Sequence, residues 1–403
     1  MKRIISAVIV VAVIICGALA IKNQSSTEIS VAYSGNSVAD IEQLESEVDN
    51  AVGIAYAAEN VDTSVASALG YVVVTDYIKA DGSADVSDAI QHIIDENPNR
   101  TIYFPDGVYV IGKSILTPAN PRKSVDLQLS NYAVIKAADS WQESEAMIRL
   151  GGKDAANDTH TAGSNYSLTG GVIDGSGKAK AVSIDGGRET RISNLSIKNA
   201  VMGLHIKYGA NSGSSDADIN DVNIIGTGGT DSVGILIEGF DNTLTNIRIG
   251  NVFIGVHLKS CSNSMRNIHP LYYSDYTDFE NSCGFYDEAG NNIYDFCYSD
   301  QFCNGFRMKG NISNIYHNCF CFWYSNAGGK EVAFKVDGLF ESVVTNFRAG
   351  FRSDTENAVL EAEKFGGNGV FDNLLVNGKI VADKSYKFYK EGTLWWLINC
   401  ILK

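Results

Sequence analysis

The sequence predicts an all-β chain: a right-handed parallel β-helix, closed near its N-terminal end by a short capping helix. Three observations lead there. Five-residue strands led by glycine recur as GLHIK (203–207), GILIE (234–238), GVHLK (255–259), GFYDE (284–288) and GFRMK (305–309). Between them recur six-residue runs with Asn or Asp third, at Asn194, Asp221, Asn246, Asn267, Asp295, Asn314, Asn346 and Asn373. Their spacing runs from 19 residues (Asp295 to Asn314) to 32 (Asn314 to Asn346). A unit of that length cannot bury its apolar side alone, so successive coils must stack at the strand spacing of about 4.8 Å.

The elements follow in chain order. Lys2 and Arg3, the apolar run 4–15 and Ala18-Leu19-Ala20 have the layout of a signal peptide, which makes the chain secreted or cell-surface. An uncleaved membrane anchor is the alternative, because residues 4–21 are just long enough to span. Residues 21–70 read as a polar tether or pro-segment, and 71–403 as the β-helix domain with a capping segment at 71–110. Within that segment VVVTDY (72–77) predicts a strand. Val86, Ala89, Ile90, Ile93 and Ile94 then mark one face of a helix. TIYFPDGVYVI (101–111) returns to strand, and the repeats begin.

Charge narrows the partners. The chain carries 32 basic and 47 acidic residues, a net −15. Loss of residues 1–20 removes Lys2 and Arg3, and 30 minus 47 gives −17. Such a surface repels nucleic acid. No phosphate loop or dinucleotide fingerprint is present, so nucleotide binding is excluded too. Seven cysteines follow residue 20, an odd number without zinc spacing, and they read as small apolar wall residues.

Alternation along a strand assigns the faces. In GVHLK, Val256 and Leu258 point inward while His257 and Lys259 point outward. The last outward position then reads Lys207, Glu238, Lys259, Glu288, Lys309, Asp337. Stacked coils thus carry alternating sign, which favours cross-strand pairing. The first outward position reads His205, Leu236, His257, Tyr286, Arg307, Lys335. This basic and aromatic column on an acidic protein is the functional signal. Elsewhere, His269, Tyr316 and Arg348 are expected outside and His317 inside. Asp174 is expected to order a glycine-rich turn.

Two motifs resemble the pectate-lyase superfamily. The first is VTDYIKADGSADVSDAIQHIIDENPNRTIYFPDGVYVI, with Asp76, Tyr77, Asp81, Gly82, Asp85, Gln91, Tyr103, Phe104, Pro105, Gly107 and Tyr109 at matching places. The second is LTGGVIDGSGKA (168–179). With the repeat, the resemblance covers roughly residues 70–400. It implies the parallel β-helix and an extracellular polysaccharide partner. It leaves the activity open among lyases, hydrolases, epimerases and tailspikes. The Asn-Thr-Asp, Asp-Asp and Gly-His-Gly set of polygalacturonases is missing, so that branch is disfavoured.

The leading expectation is β-elimination on a uronate-containing polysaccharide. It needs a base for the proton beside the carboxylate and cations for the developing charge. His257 or Arg307 is the candidate base, and Arg307 and Lys335 the carboxylate holders. His205, Tyr286 and Tyr276 are candidate sugar contacts. Lyases of this fold often use calcium. The insertion YYSDYTDFENS (272–282) offers Asp278 and Glu280 as Ca²⁺ ligands. The alternatives are glycoside hydrolysis by carboxylates from Asp231, Asp278, Glu280 and Asp300, or a non-catalytic adhesin or spike. A flat side would also allow a homo-oligomer.

Overall fold

Short runs of alternating apolar residues are buried only if the chain returns to the same place at a fixed pitch, and it does so here. The computed structural model describes residues 68–153, 166–208, 214–273, 279–310, 312–324, 330–338, 341–352, 357–362, 368–377, 394–398 and 401–402. Gly70–Lys403 form one compact unit. Each coil of the right-handed parallel β-helix contributes to three faces. Strands such as Asp218–Asn220, Ile293–Asp295 and Ile315–His317 make the first face. Asn223–Gly226, Tyr298–Asp300 and Phe320–Phe322 belong to the second. The glycine-led strands, including Ile254–Leu258, Cys283–Asp287 and Asn304–Lys309, form a ten-stranded third face. Thr243–Gly250 and Ser264–Leu271 each run from the first face onto the second. Pairing is parallel, with inward Ile235, Val256, Phe285, Phe306 and Phe334 in register.

The core changes character along the axis. The coils from Ile173 to Ile249 fill it with aliphatic side chains. Later coils stack aromatics, with Phe285 on Phe306 at 4.8 Å, Phe306 on Phe334 at 5.3 Å and Tyr294 on Tyr316 at 4.6 Å. The leading glycines mark a corner with no room. A Cβ on Gly255 would lie 2.4 Å from the carbonyl of Gly284 and 2.5 Å from Pro270.

The corner between first and second faces needs one residue with left-handed backbone, and Asn or Asp accepts that conformation best. Asn194, Asp221, Asn246, Asn267, Asn346 and Asn373 supply it, with φ between 52° and 56°. Their side chains bond along the axis, for example Asn267 Nδ2 to Asn246 Oδ1 at 2.8 Å and Asn373 Nδ2 to Asn346 Oδ1 at 2.7 Å. Two coils depart from the sequence expectation. Phe296 and Asn318 hold the left-handed place there, not Asp295 and Asn314. Burial of Tyr294 and Tyr316 sets the register, which puts Tyr316 inside and His317 outside, the reverse of the expectation.

Asn314 belongs instead to a second, buried ladder at the corner between third and first faces. There Asn242, Asn263, Asn292 and Asn314 each accept a backbone N–H from the coil before, at 2.9–3.1 Å. At the other end, VVVTDY is strand only at Val72 and Val73, the end of a strand Tyr71–Val73. It then turns as a 3₁₀ segment because the Val74 carbonyl accepts from the N–H groups of Tyr77 and Ile78. Asp174 does order its turn, accepting from Ser176 N at 2.9 Å and Asn199 Nδ2 at 3.1 Å.

The helix Ser87–Glu96 buries Ile90, Ile93 and Ile94. Its Gln91 behaves like an extra strand: the amide nitrogen donates to Leu116 O at 3.0 Å, and its oxygen accepts from Leu116 N at 2.9 Å. Leu116 lies on the terminal strand of the ten-stranded sheet, an edge that would otherwise recruit other chains.

One inward carboxylate breaks the apolar column. Asp287 sits where its neighbours carry Leu258 and Met308. It accepts from Ala289 N, Gly290 N, Asn292 Nδ2, Tyr294 Oη and Asn314 Nδ2, all within 3.0 Å. Each buried donor left without an acceptor costs about 1–3 kcal/mol. Asp287→Ala is therefore expected to lower unfolding stability by at least about 3 kcal/mol, read as a urea midpoint shift.

Candidate functional site

The period-two alternation of the glycine-led strands places one outward column on the third face. Its register runs Arg149, Ser183, His205, Leu236, His257, Tyr286, Arg307, Lys335, Glu361. His257, Tyr286, Arg307 and Lys335 are thus consecutive neighbours. His205 lies two coils from His257 with Leu236 between them, about 10 Å away at the coil pitch.

Inside that column, His257 stacks on Tyr286 with ring centroids 4.8 Å apart, and the Arg307 guanidinium sits 5.1 Å from the Tyr286 ring. The alternating acids pair with it diagonally. Glu238 meets His205 at 2.9 Å and Lys259 at 3.4 Å. Glu288 meets His257 at 2.7 Å and Lys309 at 3.4 Å. Asp337 meets Arg307 at 2.7 Å, while Lys335 meets Glu361, its neighbour within the column itself, at 3.5 Å. Each basic member of the column has a carboxylate at its side.

Burial dominates the imidazoles and holds both below their ordinary pKa, against the opposing pull of Glu238 and Glu288. His257 is therefore neutral at pH 7, and with Nε2–H donating to Glu288 its Nδ1 carries the lone pair. Glu288 stays below the usual carboxylate range, its own burial outweighed by His257 and Lys309. Burial pushes the Tyr286 phenol up, so it keeps its proton.

The other predicted site residues are not part of this column. Asp300 lies on the second face, 95% buried, where Tyr298 Oη donates to it at 2.9 Å and His269 Nε2 stands 3.6 Å away. Glu280 and Asp231 are exposed in connections. Tyr276 and Asp278 lie outside the described residues. Among the described residues no group of three His, Cys, Asp or Glu side chains is close enough to hold a metal. The six cysteines found there are free thiols, five of them buried.

The second face holds what the sequence reading passed over. His269 stacks on Tyr298 at 3.9 Å, and Tyr298 on Phe320 at 3.8 Å. Beside this stack a pocket of about 200 Å³ opens over Gly250, bordered by Ile225, Leu271, Arg248, His269 and Tyr273. The available signal was small: a glycine at an outward strand position, in RIG, where the neighbouring coils carry Ile225 and Leu271.

The model of a family described as rhamnogalacturonase A/epimerase, pectate lyase-like, matches residues 71–281, just over half the chain. The chain belongs to that family. No curated protein sequence matches it. Among solved structures, the tailspike of E. coli bacteriophage HK620, in complex with a pentasaccharide, is 14% identical with a TM-score of 0.58. That alignment covers 82% of this chain and 65% of the tailspike. An aspartate-to-alanine mutant of the same tailspike, also with pentasaccharide, is 13% identical at TM-score 0.57, with the same coverage. A protein of Geobacillus virus E2 aligns over 86% of this chain and 67% of its own length, at 14% identity and TM-score 0.48. The chain thus spans about two thirds of the tailspike it resembles, and that likeness establishes the shared fold.

For this pectate lyase-like chain, the imidazoles link stability to pH. Their folded pKa lies below the unfolded value near 6.5, so the unfolded chain binds more protons beneath that pH. Their contribution is complete above about pH 6.5 and is lost as pH falls through the window below it. Urea midpoints should drop between about pH 7.5 and about pH 5.5. A His205→Asn, His257→Asn double variant should show a shallower drop.

Proposed function

We propose that the chain acts on an extracellular, uronate-containing polysaccharide by β-elimination, and that the reacting sugar lies across His257, Tyr286 and Arg307. The observation that carries this reading is the stack itself. It sets a neutral base, a protonated phenol and a guanidinium side by side. Its members suit three roles. His257 Nδ1 takes the proton next to the uronate carboxylate, and Glu288 steadies the imidazolium that forms. Arg307, with N–H groups left over from Asp337, and Lys335 hold the substrate carboxylate as negative charge spreads onto it. The electron pair of the broken C–H bond forms the double bond, and the glycosidic C–O bond breaks. Tyr286 gives its proton to the departing oxygen and is reprotonated from His257 through solvent.

A second reading is favoured by the charge balance of the column. With each base already matched by an acid, the same face would hold a glycan without cleaving it. Under either reading the chain works as a secreted or surface-held protein.

The test is an assay of the secreted form on a panel of polyuronates and neutral polysaccharides. Elimination yields unsaturated products that absorb in the near ultraviolet. Hydrolysis yields reducing ends without that absorbance, and a binding protein retains polymer and releases nothing. His257→Ala is expected to lower the elimination rate about 10²-fold or more, with Tyr286→Phe also impaired. Activity unchanged in His257→Ala would refute the assignment. A chelator arm tests for a calcium requirement.

A further inference from the structure

We infer that Lys259 and Lys309 on the third face select a polysaccharide whose carboxylates face the sheet at every second sugar. The inference deepens the acidic-polysaccharide reading above and rests on it. Lys259, Glu288 and Lys309 follow Leu258, Asp287 and Met308, which lie in register. The two lysines are therefore two coils apart, about 10 Å between backbones, with one carboxylate on the coil between them. An extended chain of 1,4-linked pyranoses laid along the axis advances by about one coil pitch per sugar, so two coils span two sugars. Lys259 and Lys309 also stand two residues beyond His257 and Arg307, on the same coils as the proposed reaction. A uronate with its carboxylate beside Arg307 and Lys309 thus brings the carboxylate two sugars away to Lys259.

Neither lysine is used up by the fold. Lys207, in the same outer column, is held between Glu145 and Asp185, and its side chain is only 21% exposed. Lys259 and Lys309 are 43% and 57% exposed, and among the described residues each meets a single carboxylate, at 3.4 Å. That is longer than a good charge-assisted bond, so each ammonium has donors left for a ligand. Turning a lysine to a ligand strands no acid, because Glu238 keeps His205 at 2.9 Å and Glu288 keeps His257 at 2.7 Å. Between the lysines, Glu288 repels any carboxylate turned toward the sheet on the middle sugar. A polymer that alternates uronate with neutral sugar satisfies all three positions. So does a two-fold ribbon that turns every second carboxylate away.

The experiment measures binding by calorimetry on the full chain carrying His257→Gln, which removes the base and keeps a donor for Glu288. The ligands are 1,4-linked trimers of galacturonate and of glucuronate. Each is used free, methyl-esterified on the middle sugar, or methyl-esterified on both end sugars. The middle ester is expected to bind at least as tightly as the free trimer, and the end ester about tenfold more weakly. Lys259→Gln and Lys309→Gln should each weaken binding of the free trimer about threefold or more. Together they should leave the end ester's affinity unchanged. Lys198→Gln, an exposed position on the second face, controls for net charge and should change nothing. A middle ester as weak as the end ester overturns the inference and leaves the acidic polysaccharide in place. Undiminished affinity in the double lysine variant, or an equal loss in Lys198→Gln, does the same. No saturable binding of any trimer overturns both. Because the readout is binding, failure of the elimination assay does not alter this result.

Discussion

The coil pitch of about 4.8 Å governs this molecule. Parallel stacking in register puts each side chain against its counterpart one coil away, so every position becomes a ladder. Two like charges held about 5 Å apart near a protein surface repel by about 3 kcal/mol, enough over a few coils to undo a marginally stable fold. The third face solves this with an alternating outer column, in which Glu238 and Glu288 each serve a histidine on one side and a lysine on the other. The same pitch explains the two asparagine ladders. An amide that donates on one side and accepts on the other is the neutral side chain best suited to endless stacking.

Legibility followed the same rule. Positions repeated by period two along strands were readable, and the column from His205 to Lys335 lies in the register the alternation implies. Turn positions were less so. IYDFCY resembles its relatives in composition, but the buried Tyr294 fixes its phase, and a bulky Phe296 takes the left-handed corner. Asn314 looked like one more turn residue and proved to belong to the buried ladder. The candidate site divided similarly. Asp300 was noticed as a carboxylate, but its position beside His269 depends on which corner the chain turns, and sequence spacing does not record that. The pocket was hidden because its defining feature is a missing side chain.

The two outward faces use cations differently. On the third face the basic groups are compensated, so their electrostatic potential toward solvent is small, and local desolvation governs the histidines. On the second face Arg248, beside an apolar slot, has no carboxylate partner among the described residues. A polyanion approaching this acidic protein is repelled at long range and attracted only at short range, within about a Debye length of 8 Å. Recognition of the proposed acidic polysaccharide would therefore depend on close geometric fit more than on steering.

The elimination proposed for the third face would have to work against the ladder that supports it. For His257 to accept a proton, the imidazolium must be stabilised where burial disfavours it, and Glu288 is the group within reach. Glu288 is shared with Lys309 at 3.4 Å, so a substrate carboxylate that draws Lys309 away would leave Glu288 more fully committed to His257. Binding of an acidic sugar would then strengthen the base at the moment it is needed, while the resting column stays balanced and stable. A neutral sugar offers no such exchange. Under the proposed reaction, selectivity for uronates would arise from how the ladder redistributes its pairs, over and above direct contact with Arg307.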